Sequence, residues 1–291
     1  MYLINPMAGR GSFRSGLGDV LESFCLAGYL PTLYMTKSSG DAMKITQTHA
    51  SDYDLLVCQG GDGTLSEVIS GLMRIENPPP LGYIPMGTAN DVAVSLELPA
   101  DRPHKAAERI IHGRAMPFDV GSFGSDEYFA YIAAFGTLAG VSYETPQNTK
   151  HTLGYLAYLL EGMRRLTKID SFETRVEYDG GVIDDELVFG GVTNSTSIAG
   201  VVKLNKNVVE LSDGLFEVVL IRNPHSLSDM NSIIMDIISQ NYSSQNVTVL
   251  HSRSVRFQFE EEVAWTRDGE NGGMHRDLTL TNHHEAIQFV V

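Results

Sequence analysis

The chain has 291 residues, which favours two domains or one large one because a single domain usually has about 150 residues. Its 21 Lys and Arg against 36 Asp and Glu leave a formal net charge of −15, which argues against nucleic acid as a partner, since such binders hold phosphates with basic side chains. Two cysteines exclude a disulfide framework, and no apolar run is long enough to span a bilayer. Without a signal-peptide pattern at the N-terminus, we expect a cytoplasmic protein.

Strand and helix patterns alternate over the N-terminal part of the chain. Short apolar runs predict strands at 2–4, 30–35, 55–58 and 81–84. Apolar residues at helical spacing predict helices near 17–25, 41–49 and 65–72, and Gly28 suits the C-terminal cap of the first helix. Repeated strand–helix units of this kind predict a parallel sheet covered by helices on both faces.

The pattern changes near Phe118, after which strands follow one another with few helices between them. Strands are predicted at 128–135, 174–178, 182–192, 215–221, 247–250 and 255–259, with two more strand-like pieces over 278–291. Helices are predicted near 151–166 and 226–238. This succession favours an antiparallel sandwich or barrel. We therefore expect an α/β domain over 1–117 and a β domain over 118–291, with the last few residues able to return to the first domain.

The sharpest local signal is the loop Gly60-Gly61-Asp62-Gly63-Thr64, which lies between a predicted strand and a predicted helix. Its glycines allow positive φ and a close approach of the backbone to a ligand, and the free N–H groups at the start of the helix suit a polyphosphate. Asp62 would repel phosphate unless a cation lies between them, which a Mg²⁺-bound nucleotide provides. The alternative is an ordinary glycine turn in which Asp62 caps the helix.

Two further loops, residues 5–11 and residues 85–91, also follow predicted strands. Because parallel strands place their C-terminal ends along one edge of a sheet, we expect the three loops to converge on one crevice. Three polar or glycine-rich loops at successive strand ends favour a binding site over plain turns.

Together with two later motifs, these loops resemble the diacylglycerol kinase catalytic family, in particular the bacterial soluble lipid kinases. The resemblance extends over nearly the whole chain and rests on Asn5-Pro6-x-x-Gly9, the Gly60 to Thr64 loop with Glu67, Gly87-Thr88-x-Asn90-Asp91, Ser212-Asp213-Gly214-Leu215 and Asp268-Gly269-Glu270. NAD kinases share the glycine loop alone, whereas the ordered set with the late Asp-Gly-Glu is more specific to lipid kinases. The resemblance implies an N-terminal NAD kinase- or phosphofructokinase-like α/β domain that binds nucleotide and a C-terminal antiparallel β-sandwich that binds lipid.

The resemblance also implies roles for particular residues. Those implied to surround ATP are Asn5, Pro6, Met7, Ala8, Gly9, Thr36, Gly60, Gly61, Asp62, Gly63, Thr64, Leu65, Ser66, Glu67, Gly87, Thr88 and Asn90. Those implied to hold catalytic Mg²⁺, partly through water, are Asp62, Asp91 and Asp119. A second, structural Mg²⁺ is implied at Asp213 with the backbone carbonyls of Glu210 and Leu215, and the alternative for Asp213-Gly214 is a hairpin turn.

Asp268 is the candidate general base. A lipid hydroxyl is a poor nucleophile, and a carboxylate within hydrogen-bond reach can take its proton as the oxygen attacks the γ-phosphorus. From the residues alone, Asp268-Gly269 followed by Asn271-Gly272-Gly273 favours an exposed turn in a loop. The resemblance to the lipid kinases reverses that preference and favours catalysis.

The resemblance implies an ATP- and Mg²⁺-dependent kinase that phosphorylates a lipid hydroxyl at a membrane surface, with diacylglycerol first among the candidate lipids. The alternatives are an NAD kinase-like phosphotransferase and a non-catalytic nucleotide-binding regulator. Arg164, Arg165 and Lys168 end a predicted helix, where they form either a membrane-facing basic edge or, as we favour, cations that stabilise a helix C-terminus. We expect transient, peripheral contact with the membrane. For the oligomeric state, a homodimer is an alternative to a monomer.

Overall fold

The computed structural model describes residues 1–9, 16–87, 90–100, 102–136, 170–195, 197–198, 202–203, 210–240, 242 and 244–291. The chain divides into two compact units. The first unit comprises Met1–Val120, Glu127–Ala130 and His283–Val291, and the second comprises Gly121–Asp126 and Tyr131–Asn282. Each unit therefore combines stretches that are distant in the sequence.

The first unit is built on a parallel sheet. Its strands are β1 (Tyr2–Ile4), β2 (Leu33–Met35), β3 (Leu56–Gly60), β4 (Leu81–Pro85) and the end of the long final strand β15 (Glu270–Val290). β1 pairs with β2 and β3, β3 pairs with β4, and β4 pairs with β15 at Phe289, all in parallel. Every residue of β1, β3 and β4 is buried, as parallel strands covered on both faces require. The predicted parallel α/β architecture is confirmed.

The helices described in the first unit are α1 (Leu17–Leu26), α2 (Asp41–His49), α3 (Asp62–Leu72), α4 (Asp91–Ser95) and α5 (Pro103–His112). The sequence patterns predict α1, α2 and α3 but not α4 or α5. α5 begins with Pro103 and buries Ala106, Ala107 and Ile110, and two alanines give only a weak apolar signal. Ile110 packs closely on β4, since a Cβ added at Gly82 would lie 2.9 Å from its Cδ1.

The second unit is a mainly antiparallel β structure. The remaining elements, of which β5 crosses the unit boundary and β6 belongs to the first unit, are β5 (Ala115–Phe123), β6 (Glu127–Phe129), β7 (Ile132–Gly136), β8 (Phe172–Tyr178), β9 (Gly181–Thr193), β10 (Ser197–Ile198), β11 (Val202–Lys203), β12 (Phe216–Arg222), α6 (Leu227–Ser239), β13 (Val247–Ser252) and β14 (Ser254–Arg267). β9 pairs antiparallel with β7, β8 and β12, and β14 pairs antiparallel with β7, β8 and β15. The predicted antiparallel β architecture is confirmed.

The strand β14 changes partners along its length. Its first half, up to Phe259, pairs with β8, whereas Trp265 to Arg267 pair with β7, and the register against β15 shifts between these two stretches. A strand that bends at such a shift can line two packed layers of sheet. The aromatic rings of Phe135, Phe257 and Trp265 lie in mutual contact, with ring centroids 5.0–5.6 Å apart.

Several predicted boundaries are wrong. The single strand predicted over 128–135 is two strands, β6 and β7, separated at Ala130 and Tyr131. The strand predicted over 255–259 is only the first part of the 14-residue β14. The prediction ended too early because the exposed Glu260 to Glu262 interrupt the apolar alternation at the register shift. The two pieces predicted over 278–291 belong to one strand, β15, which also takes in residues 270–277. The helix predicted over 151–166, with Arg164, Arg165 and Lys168, lies outside the described residues.

Candidate active site

The loop after β3 turns directly into helix α3. Gly61 is the N-cap residue, and Asp62 is already the first residue of the helix. The suggestion that Asp62 itself caps the helix is therefore wrong. Gly60, Gly61 and Gly63 are not among the residues with positive φ, so these glycines do not use the conformational freedom that they have. The backbone N–H groups of the first turn of α3 are consequently the ones available to a phosphate.

The glycines of this loop are needed for close packing. A Cβ added at Gly60 would lie 2.6 Å from Cβ of Thr64, and a Cβ added at Gly61 would lie 3.2 Å from Cα of Gly87. A Cβ added at Gly87 would in turn lie 2.9 Å from Cα of Gly61 and 2.7 Å from Oδ1 of Asn90. The loop after β3 and the loop after β4 thus pack backbone against backbone, which only glycine permits.

Asn5 joins the loop after β1 to the start of α3. Its Nδ2 donates to Oγ1 of Thr64 at 2.8 Å, and its backbone N–H donates to the carbonyl of Gln59 at 3.0 Å. Its Oδ1 accepts the N–H of Met7 at 2.9 Å, which turns the chain back over the strand end. Pro6, Ala8 and Gly9 complete this turn, with Gly9 at φ 59°.

Asn90 joins the loop after β4 to the start of α3. Its backbone N–H donates to Oδ2 of Asp62 at 2.8 Å, and its side chain both accepts from the N–H of Gly87 and donates to the carbonyl of that residue. Asn90 has φ 52°, a left-handed conformation that asparagine tolerates better than most residues. The three loops therefore converge as predicted. Thr88, also expected at this site, lies outside the described residues.

Tyr83 in β4 lies beneath the converging loops, and the sequence patterns do not single it out. Its hydroxyl donates to the carbonyl of Gly60 at 3.3 Å. Burial raises the pKa of Tyr83 well above its usual value, and the nearby Asp62 and Asp91 carboxylates add to that rise. The signal available in the sequence was a lone hydroxyl-bearing residue within an aliphatic buried strand, directly before a candidate phosphate loop.

Glu67 holds a fourth segment against α3. Its carboxylate accepts the backbone N–H groups of Gly40 at 2.7 Å and Ala42 at 3.0 Å, and the hydroxyl of Ser39 at 3.3 Å. Glu67 thus caps the N-terminus of α2 from a neighbouring helix, where the residue at the cap position, Gly40, has no side chain to do so. This contact fixes the segment that follows Thr36, whose own N–H donates to the carbonyl of Ile4.

The three candidate catalytic Mg²⁺ ligands have different surroundings. Oδ2 of Asp62 accepts the N–H of Asn90, the residue directly before Asp91. Asp119, in contrast, is fully buried in β5, where its Oδ1 accepts the N–H of Glu285 at 2.7 Å. Within the described residues, no three His, Cys, Asp or Glu side chains are grouped closely enough to hold a metal ion directly. Oxygen donors on two carboxylates nevertheless suit Mg²⁺, which retains waters and uses phosphate oxygens as its other ligands.

The candidate structural Mg²⁺ site forms a turn before β12. Oδ1 of Asp213 accepts the N–H of Leu215 at 2.9 Å, and Gly214 between them has φ 80°. The Leu215 carbonyl, a predicted metal ligand, accepts Nδ2 of Asn282 at 3.0 Å and retains a second lone pair. Glu210, whose carbonyl is the third predicted ligand, is exposed at the start of this segment.

Asp268 lies in the tight turn between β14 and β15. Arg267 pairs with Glu270, and the two residues between them have positive φ, 47° for Asp268 and 78° for Gly269, as a type I′ hairpin requires. The turn expected from the residues alone is therefore present, but two parts of that expectation are wrong. Asp268 is only 3% exposed, and residues 271–273 belong to β15 rather than to a loop.

Two backbone amides hold the Asp268 carboxylate. Its Oδ1 accepts the N–H groups of Tyr131 at 3.0 Å and Ile132 at 3.1 Å, and its own N–H donates to the Ile132 carbonyl at 2.8 Å. These contacts explain why the predicted strand over 128–135 breaks here, since the chain turns to present two successive N–H groups to one oxygen. A buried carboxylate fixed by its backbone partners is equipped to accept a proton at a defined position.

The chain matches two family models that together cover most of its length. Residues 1–123 match the diacylglycerol kinase catalytic domain, and residues 133–285 match the YegS C-terminal NAD kinase beta sandwich-like domain. A diacylglycerol kinase of Bacillus subtilis (strain 168) is 34% identical over 273 residues, which cover 94% of this chain and 89% of the relative. A diacylglycerol kinase of Staphylococcus aureus (strain MRSA252) is 35% identical over 276 residues, covering 93% of this chain and 85% of the relative.

Solved structures share the fold. A crystal structure of a diacylglycerol kinase from Bacillus anthracis str. Sterne aligns with a TM-score of 0.75 at 24% identity, covering 99% of this chain and 95% of that chain. A second structure from the same organism aligns over the same shares of both chains with a TM-score of 0.81 at 25% identity. The matches define a lipid kinase. The chain belongs to the diacylglycerol kinase family, and membership of a kinase family implies ATP as the phosphoryl donor.

The helices of the described residues are unlike helices that cross a bilayer. None of them combines the necessary length with the necessary apolar character.

Proposed function

We propose that this protein transfers the γ-phosphoryl group of ATP to the free hydroxyl of diacylglycerol, forming phosphatidic acid and ADP. The observation that carries the mechanism is the buried Asp268 carboxylate, held by two backbone amides in a type I′ turn. Family membership supports the reaction class, and the names of the relatives support the lipid.

The nucleotide is assigned to the three converging loops, within a domain proposed to span residues 1–117. Phosphate oxygens accept the N–H groups at the start of α3, where the helix dipole adds favourable potential. Asn5 and Asn90 tie the neighbouring loops to Thr64 and Asp62, so the donors are held in place before ATP binds. Preorganised donors of this kind lower the cost of ordering on binding.

Mg²⁺ is proposed to be held by Asp62 and Asp91, with Asp119 contributing through water. Asp62 accepts the N–H of Asn90, which directly precedes Asp91. Carboxylates are hard oxygen donors and fit this ion, which commonly uses one or two of them together with substrate phosphates. When bound, Mg²⁺ neutralises charge on the phosphate oxygens as the transfer proceeds. A second ion is proposed at Asp213 with the carbonyls of Glu210 and Leu215, where it stabilises the turn before β12.

Asp268 is proposed to be the general base. The hydroxyl oxygen of the lipid forms a bond to the γ-phosphorus, the bond from that phosphorus to the β–γ bridging oxygen breaks, and the hydroxyl proton passes to the Asp268 carboxylate. The amides of Tyr131 and Ile132 hold Oδ1 and so fix the position of the carboxylate that accepts the proton. Residues 118–291 are the proposed lipid-binding domain, which meets its substrate transiently at a membrane surface from the cytoplasm.

The decisive variant is Asp268→Asn. Asparagine suits a type I′ turn, and its Oδ1 can still accept the two amides, so these contacts are kept while the proton-accepting carboxylate is lost. We expect turnover of 1,2-dioleoylglycerol in mixed micelles to fall about 10²- to 10⁴-fold, the usual worth of a general base, while ATP affinity stays unchanged. Phosphatidic acid formed from γ-labelled ATP measures the turnover, and chelation of Mg²⁺ with EDTA should abolish it in the wild type.

The matched control is Asp179→Asn, since Asp179 lies in another Asp-Gly hairpin turn of the second unit, where Tyr178 pairs with Gly181. Its Oδ2 accepts the N–H of Arg253 at 2.7 Å, and we expect wild-type turnover. Near-normal turnover by Asp268→Asn would remove Asp268 from the mechanism. Phosphorylation of NAD but of no lipid by the wild type would instead favour the NAD kinase alternative, and tight ATP binding without any transfer would favour the regulator.

A further inference from the structure

Thr193, at the end of β9, is fully buried and was not singled out by any sequence motif. Its hydroxyl donates to the backbone carbonyl of Tyr131. The backbone N–H of Asn194 donates to the same carbonyl at 3.1 Å. One carbonyl oxygen in the interior of the second unit therefore receives two donors from the end of β9.

That carbonyl belongs to the peptide group whose N–H holds the proposed base. In a trans peptide the carbonyl of Tyr131 and the N–H of Ile132 lie in one plane and point in opposite directions. The Ile132 N–H donates to Oδ1 of Asp268 at 3.1 Å, on the side away from Thr193. A donor on the carbonyl thus fixes the tilt of the peptide plane, and it also polarises the N–H on the other side.

We propose that Thr193 is a positioning residue for Asp268, acting through the Tyr131–Ile132 peptide. The hydroxyl of Thr193 holds the peptide plane, and the peptide in turn holds Oδ1 of Asp268, which fixes the orientation of the carboxylate. This inference rests on the proposed role of Asp268 as the base. It adds a residue that lies outside every motif named above and that reaches the base only through the backbone.

The test uses Thr193→Val, which removes the hydroxyl and keeps the shape, and Thr193→Ser, which keeps the hydroxyl. For Thr193→Val we expect kcat with 1,2-dioleoylglycerol to fall about tenfold, the effect of one buried hydrogen bond, with the KM for ATP unchanged. Thr193→Ser should restore kcat. The control is Thr174→Val, because Thr174 is 4% exposed and its hydroxyl donates to the Phe172 carbonyl at 2.8 Å, remote from this peptide in the hydrogen-bond pattern.

A second measurement does not depend on catalysis. Hydrogen exchange of the Ile132 amide, followed by NMR, should be faster in Thr193→Val than in the wild type and unchanged in Thr174→Val. Wild-type kcat in Thr193→Val, or a lower kcat with unchanged Ile132 exchange, would overturn the inference. Activity retained by Asp268→Asn would refute the base assignment itself, whereas an inactive Asp268→Asn beside a fully active Thr193→Val would overturn only the role of Thr193.

Discussion

Gly87→Ala tests whether the two phosphate loops depend on backbone-to-backbone packing. The added Cβ would lie 2.9 Å from Cα of Gly61 and 2.7 Å from Oδ1 of Asn90. Carbon atoms in contact are normally about 3.5–4.0 Å apart, so the loops would have to separate by about 0.6–1.1 Å. Neither obstacle is the end of a flexible side chain with room to move, because Gly61 is backbone and Asn90 is buried and bonded to Gly87.

Two effects follow from that separation. Overpacking of this size costs about 1–3 kcal/mol of unfolding free energy. Hydrogen bonds to phosphate tolerate little displacement, and the loss of one bond to a charged group is worth about 1.5–3 kcal/mol, so ATP should bind about 10- to 100-fold more weakly. Displacement of the loop after β4 is transmitted to the start of α3, because the N–H of Asn90 also donates to Asp62.

The assay is ATP affinity by calorimetry together with the unfolding free energy in urea. The control is Gly18→Ala in α1, where an added Cβ meets nothing within 4 Å. That variant should keep wild-type affinity and gain up to about 1 kcal/mol of stability, because alanine is the better helix former. Wild-type ATP affinity in Gly87→Ala would refute the argument that glycine is required between these loops.

Two other predictions concern the first unit. Glu67→Gln replaces one acceptor oxygen with an NH₂ group that faces the amides at the start of α2. We therefore expect the unfolding free energy in urea to fall by about 1–2 kcal/mol and the KM for ATP to rise. Glu22→Gln, on the exposed side of α1, should change neither quantity. Burial raises the pKa of the Cys58 thiol and Cys25 is exposed, so a disulfide reagent at pH 8 should modify one thiol in the native protein and two after unfolding. Rapid modification of both native thiols would contradict the burial of β3.

The residues that bind the loops together differ in how far the sequence could reveal them. Glycines after an apolar strand indicate that something packs closely against the backbone there. The sequence does not say whether that neighbour is a ligand or another loop. Gly61 and Gly87 are 26 residues apart, and each must be glycine because the backbone of the other packs against it. Asn90 contacts Asp62 through its backbone N–H. Glu67 was expected at the nucleotide, and its carboxylate accepts the N–H groups of Gly40 and Ala42 at the start of α2.

The linear pattern of apolar runs, glycine loops and helical spacing was sufficient to predict the parallel α/β unit, the antiparallel β unit and the Asp-Gly turn, because these features depend on residues close together in the chain. The burial of Asp268 required the fold. Its partners, Tyr131 and Ile132, lie more than 130 residues away, and Thr193 reaches them from a third strand. From its own residues alone, a hairpin turn is expected to be exposed. Long-range strand pairing instead places backbone amides over this turn, so the Asp268 carboxylate is buried and held in one position.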